Sequence, residues 1–196
     1  MELIVASGNR GKLSEYRAIL EPLGFSVVSQ KEKGVETDAE EKGASFEENA
    51  LLKARAAHDI TGGWVLSDDS GLEVTALGGE PGIYSARYRG LKTEHERRQA
   101  ILSALEGKAD RSARFVCCIC LIDPEGEARF FTGIWPGSIA EREEGSSGFG
   151  YDPIFVSEDS GGRTTASLPI AFKETFSHRA KAAAKLRKWI ENSCAR

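Results

Sequence analysis

The chain has 196 residues, of which 40% are hydrophobic and 29% charged, and carries a formal net charge of -4. That length and mix suit one globular domain, 1–196, with a substantial core. The negative balance argues against non-specific nucleic-acid binding, which depends on neutralising phosphates. No run approaches membrane-spanning length, and acidic Met1-Glu2 with a short apolar stretch does not resemble a signal peptide. The chain therefore reads as cytoplasmic, with no nucleic-acid or membrane partner.

In chain order, residues 2–6 read as a strand and feed a helix over 12–20, whose apolar positions Leu13, Tyr16, Ile19, Leu20 and Leu23 recur at helical spacing. Pro22 and Gly24 close it, and a second strand covers 25–28. A right-handed parallel crossover is the default for such a unit. Ser45 with Glu48 fits a capping box for a second helix, with Phe46, Ala50, Leu51, Ala54 and Ala57 as its inner stripe. The apolar run Trp64-Val65-Leu66-Ser67 reads as a short buried strand ending at Asp68-Asp69-Ser70-Gly71. Thr93 with Glu96 repeats the box ahead of Ile101, Leu102 and Leu105, and Gly107 ends that helix. Strands over 114–122 and 128–135 flank the turn Asp123-Pro124-Glu125-Gly126. Residues 137–140 and 154–156 are candidate further strands. Ser177 caps a last amphipathic helix, with Ala182, Ala183, Leu186, Trp189 and Ile190 facing inward. The class is α/β with a mixed sheet.

Three loops carry chemistry. Paired carboxylates at Asp68 and Asp69 can hold a divalent cation and position a water. Being adjacent, they point different ways, so one of them faces the metal directly. Ser7-Gly8-Asn9-Arg10-Gly11-Lys12 reads either as an anion cradle, with helix-start N–H groups and Lys12 as point charge, or as a plain strand-to-helix turn. It is not a Walker A loop, because only two residues separate Gly8 from Gly11 and Leu13 stands where a metal-binding Ser or Thr belongs. Gly148-Phe149-Gly150-Tyr151-Asp152-Pro153 offers Phe149 either as a core aromatic or as a ring that stacks on a flat ligand such as a purine.

Other groups qualify these readings. The acidic run Glu36, Asp38, Glu40 and Glu41 is a solvated face or the source of a further metal carboxylate, and spacing does not choose among its members. Lys53 lies on the second helix near its apolar stripe. Lys173 precedes Ser177-His178-Arg179, which is either an anion or carbonyl-oxygen site or a capped helix start with a surface imidazole. Cys117, Cys118 and Cys120 read as small buried hydrophobes of a strand, since no paired Cys or His set completes a thiolate metal site.

The chain resembles the inosine triphosphate pyrophosphatase family, the non-standard purine nucleoside triphosphate pyrophosphatases. The likeness is carried by residues 7–12, by Glu47-Glu48-Asn49-Ala50-Leu51-Leu52-Lys53-Ala54 and by Ser67-Asp68-Asp69-Ser70-Gly71-Leu72. It continues in 77–88, in 148–153 and in Ser177-His178-Arg179. The resemblance implies a two-lobed α/β fold with a long central mixed sheet, a cleft between lobes, and a homodimer. It implies hydrolysis of ITP, dITP and XTP to monophosphate and pyrophosphate with Mg²⁺, Mn²⁺ being a substitute. Ser7, Gly8, Asn9, Arg10, Gly11 and Lys12 would cradle the triphosphate, with Lys53 adding charge. Asp69 would be general base and metal ligand beside Asp68, and Glu40 aligns with the family's second metal carboxylate. Ser70, Phe149, Gly150, Tyr151, Asp152, Lys173, His178 and Arg179 would contact the nucleotide. The stretch Ala166-Ser167-Leu168-Pro169-Ile170-Ala171-Phe172 departs from the family's acidic pattern ahead of Lys173. A pyrophosphatase of modified pyrimidines and a non-catalytic nucleotide sensor are the rival readings.

Overall fold

The structure is a computed structural model that describes residues 1–35, 37 and 39–194, the side chains of Arg10, Ser193 and Cys194 excepted. Its elements are β1 (Glu2–Val5), α1 (Arg10–Leu20), β2 (Ser26–Ser29), α2 (Phe46–Thr61), β3 (Val65–Val74), α3 (Glu94–Ala104), β4 (Ser112–Ile122), β5 (Ala128–Ile139), β6 (Phe155–Ser157), α4 (Ile170–Phe176) and α5 (His178–Cys194). One six-stranded sheet has the order β2-β1-β3-β4-β5-β6. It is mixed: β1 is parallel to β2 and β3, whereas β5 and β6 are antiparallel. Among the described residues no helix is long and apolar enough to cross a membrane.

Two compact units divide the chain. The first holds 1–69, 117–132 and 182–196, and the second holds 70–116 and 133–181, so the division falls within β3, β4 and β5. In the first unit strand alternation sorts the core onto two faces. Leu3, Val5, Leu66, Cys117, Ile119 and Leu121 pack with Tyr16 and Leu20 of α1 and Leu186 and Ile190 of α5. Their neighbours Ile4, Val65, Cys120 and Ile122 pack instead with Ala50, Ala54 and Ala57 of α2. Small alanines let α2 lie close to the sheet. In the second unit Leu72 and Val74 of β3, Ile101 and Leu105, Phe115 of β4 and Trp135 of β5 share one core with Tyr151, Ile154 and Phe155.

Local chemistry accounts for the helix ends. Asn9 caps α1 through its own side chain. Ser45 Oγ accepts from the Glu48 N–H at the start of α2, worth about 1 kcal/mol. The return half of that box is shifted by one residue, because Glu48 Oε2 accepts from the Ala44 N–H rather than from Ser45. Thr93 and Glu96 form a complete box at α3. Gly24, at φ 86°, ends the 3-10 turn Glu21–Leu23 that follows α1.

Three expectations change, and one helix is added. β3 does not stop at Ser67 but runs to Val74, so Asp68 and Asp69 are buried mid-strand residues and not a loop. The residues 137–139 extend β5 instead of forming a new strand, and Ile154 belongs to a 3-10 turn ahead of β6. The helix α4 stands where helical periodicity is too short to register.

Candidate active site

The period of two along β3 decides what each carboxylate meets. Asp68, two residues from Leu66, falls on the α1 face, and Asp69, four from Val65, falls on the α2 face. Lys12 of α1 accordingly reaches Asp68, Nζ to Oδ2 2.8 Å, with the Cys117 thiol 3.7 Å from the same oxygen. Lys12 is thus a helix residue only 15% exposed at its side chain, not an open loop lysine. On the other face Lys53 and Asn49 of α2 reach Asp69, with Lys53 Nζ 3.1 Å from Oδ1 and Asn49 Nδ2 donating to Oδ2 at 3.2 Å.

Lys53 also donates to Glu41 Oε1 at 2.8 Å, so one ammonium bridges two carboxylates. Burial works against the charge of Lys53, but Asp69, Asp68 and Glu41 together outweigh it and hold the ammonium above its ordinary value. Burial, helped by Glu41, pushes the Asp69 carboxyl up, against the opposing pull of Lys53. Glu40 points elsewhere: it is exposed and pairs with Lys42. Of the acidic segment it is therefore Glu41, and not Glu40, that the structure brings to Asp69. Glu36 and Asp38 lie outside the described residues.

At the start of α1, Asn9 Oδ1 accepts from Gly11 N at 2.8 Å and Lys12 N at 3.2 Å, and Ser7 Oγ accepts from Asn9 N at 3.2 Å. The segment is a capped strand-to-helix turn, and its glycine Gly8 leaves open space where a Cβ would stand. The Arg10 side chain lies outside the described residues.

The second unit gathers its own set. Asp152 is buried, and its Oδ2 takes the Lys173 ammonium at 2.6 Å and the Phe149 N–H at 2.9 Å, while Thr165 donates to Oδ1 at 3.0 Å. A glycine is required at 148: φ is 79° and a Cβ there would lie 2.1 Å from Asp152 Oδ2. Lys173 Nζ sits 4.6 Å from the centre of the Phe149 ring. Phe149 is 38% exposed, so it is not a core aromatic. Gly150 is tied by its N–H to Glu94 and by its carbonyl to Arg98. Tyr151 is buried and donates to the Ser85 carbonyl. Ser70 is half-buried in β3.

His178 is not a surface imidazole. It is 6% exposed and stacks on Phe115 with centroids 4.8 Å apart at 13°, Trp135 lying nearly parallel at 6.4 Å. Arg179 beside it is 2% exposed. Their burial at the first turn of α5, behind the Ser177 cap, was invisible in a motif that reads as polar. Asn49 and Thr165 are the functional-looking partners that motif reading passed over. A polar Asn49 beside the alanine stripe, four residues before Lys53, was the available signal for the first.

Chemically, the described groups gathered round Lys53 are oxygen donors, Asp69 and Glu41. Asp69 and Glu41 converging on Lys53 suit a hard divalent cation, which takes one or two protein carboxylates and completes its shell with water and substrate phosphate. Among the described residues no three His, Cys, Asp or Glu side chains gather into a closed metal cage. Cys117, Cys118 and Cys120 are buried free thiols, and burial pushes Cys118 up to about 11 and Cys120 up to about 12.

Carboxylates and lysines gathered on one strand inside a mixed α/β sheet are the groups that meet a divalent cation and phosphate. The model of the Ham1 family matches residues 3–189, and the chain belongs to that family. It is 45% identical over 188 residues to the dITP/XTP pyrophosphatase of Bacillus licheniformis, covering 94% of this chain and 95% of the relative. It is 47% identical over 189 residues to the protein of the same name from Geobacter sulfurreducens, with 94% of each covered. The solved Ham1 protein of Staphylococcus aureus superposes with a TM-score of 0.90 at 41% identity, over 98% of this chain and 100% of that one.

Proposed function

We propose that the protein hydrolyses non-standard purine nucleoside triphosphates (ITP, dITP and XTP) to the monophosphate and pyrophosphate, removing them from the nucleotide pool. The carrying observation is the Lys53 ammonium held between Asp69 and Glu41. A lysine so placed, with carboxylates able to take a cation, answers the two needs of phosphoryl chemistry, charge neutralisation and a positioned water. The names of relatives nearly half identical over almost the whole chain supply the substrate class.

In this reading the chain, 1–196, works as one pyrophosphatase domain. Asp69 accepts the proton of a water attacking the α-phosphorus, general-base help typically worth about 10²–10⁴-fold. Asp69 and Glu41, with Asp68 adjacent, would hold Mg²⁺, or Mn²⁺ in its place. The ion when bound would offset negative charge on the phosphate oxygens and leaving pyrophosphate. Lys12 exchanges Asp68 for phosphate, and residues 7–11 line the phosphates at the start of α1. Phe149 stacks on the base and Gly150, Tyr151 and Asp152 frame it, with Lys173 held at Phe149 by Asp152. Ser70, His178 and Arg179 complete the nucleotide contacts. A homodimer in the cytoplasm completes the reading.

Base choice follows from the chemistry of the purine edge. Hypoxanthine and xanthine carry a 6-carbonyl, which accepts from the donors of His178 and Arg179, whereas the 6-amino group of adenine leaves them unmet. A site built around such bonds rejects the wrong partner by ~10⁴-fold or more. Pyrophosphate release from ITP, XTP, GTP and ATP with Mg²⁺ tests this directly. ITP and XTP should be cleaved well above GTP, with ATP last. Equal cleavage of ATP and ITP sinks the base-selecting role of His178 and Arg179, and no release from any substrate sinks the function.

A further inference from the structure

Asn49 is fully buried on the flank of α2's inner stripe, about 100° round the helix from Ala50 and on the side of Lys53, where an apolar residue would bury at less cost. Both ends of its amide are used. Oδ1 accepts the Gly43 N–H at 2.8 Å, and Nδ2 donates to Asp69 Oδ2 at 3.2 Å. Only this orientation serves both, because a backbone N–H needs an acceptor and a carboxylate needs a donor. The Gly43 backbone is pressed onto the helix: a Cβ there would lie 2.7 Å from Glu48 Cβ and 2.8 Å from Asn49 Oδ1. Gly43 stands two residues after Glu41, which shares Lys53 with Asp69.

The geometry points to Asn49 as a positioning residue that holds two carboxylates in one arrangement, Asp69 directly and Glu41 through the Gly43 backbone. Of Asp69's two oxygens, Asn49 occupies Oδ2 and thereby leaves Oδ1 turned to Lys53. Without the amide, Asp69 is free to rotate and the 41–43 segment loses its tether to α2. The role rests on the proposed function, since it concerns the residues given the base and metal roles there. Loss of such a supporting bond typically costs about 10–100-fold in activity or metal affinity.

Two variants separate this from a packing role. Asn49→Leu keeps the forked shape but has no polar end, and Gly43→Ala removes no side chain and acts only by wedging the segment off Asn49. For each, thermal midpoint, kcat and KM for ITP with Mg²⁺, and Mn²⁺ binding to nucleotide-free protein (from the resonance of the free ion) are measured beside wild type and Asp69→Asn. The expected result is a folded protein with kcat down at least ~10-fold, KM within about 3-fold of wild type, and Mn²⁺ affinity weakened by ~10-fold. A folded Asn49→Leu or Gly43→Ala with wild-type kcat and Mn²⁺ binding overturns the role. If neither variant folds, Asn49 is structural and the proposal fails. A wild-type protein that releases no pyrophosphate refutes the function instead, and the Mn²⁺ comparison still decides for or against Asn49.

Discussion

At the scale of single residues, one step along β3 separates two jobs. Asp68 answers Lys12 of α1, and Asp69 answers Lys53 of α2, because neighbours in a strand face opposite ways. Asp69→Asn keeps shape and removes the proton acceptor, so turnover should fall by at least ~10²-fold while the fold persists. Initial-rate measurement on the folded variant checks it, and near-normal turnover refutes the base role. Glu41→Gln should lower turnover more than Glu40→Gln, since the first is bonded to Lys53 and the second is a solvated partner of Lys42. The reverse order would return the role to Glu40. The motif made Asp69 and Lys53 legible as candidates. The choice of Glu41 was not, because a loop carries no periodicity to say which carboxylate turns inward.

At the scale of elements, the end of β2 is tied to α1 by one carboxylate. Glu32 accepts from the Ser29 backbone N–H at 2.7 Å and from Arg17 at 2.8 Å, and Arg17 also donates to the Val27 carbonyl. These bonds, the Ser29 N–H first and Arg17 next, hold the Glu32 carboxyl down from its ordinary 4.5 to about 2. A depressed carboxylate contributes stability that is present above the unfolded value and lost as pH falls from about 4.5 to about 2. Glu32→Gln should therefore flatten the dependence of the urea midpoint on pH in that window and leave the slope above it unchanged. An unchanged acid slope would show that the pair adds nothing in water. The strand-helix-strand opening was legible from spacing, and α2 and α3 from their caps. The length of β3 was not, because two aspartates and a glycine look like a strand's end until their partners are known.

Across the whole molecule, the three described thiols report on opening. Cys117, Cys118 and Cys120 are essentially inaccessible in β4, and burial raises Cys118 and Cys120 far above the pH of ordinary labelling. In a Cys194→Ser background, a thiol reagent at pH 8 should leave the native protein unlabelled and modify three cysteines once urea unfolds it. Fast native labelling would mean that this part of the sheet opens readily. Trp135 should be the matching probe of the second core: Trp135→Ala removes a fully buried ring from among Phe155, Phe172 and His178 and should cost about 3–5 kcal/mol, read from denaturant unfolding.

The sequence by itself determined the α/β class, the parallel opening, most helix starts and which charged side chains are candidates for the site. Those properties are local: period, capping residues and charge within a few positions of one another. Only the tertiary structure decided that Asp68 and Asp69 lie inside a strand, that Lys12 is paired, that Glu41 and Asn49 join Asp69, and that His178 is stacked on Phe115. Each of these joins residues distant in the chain. A long-range contact is set by which faces of sheet and helix are buried together, and no short window of sequence carries that information.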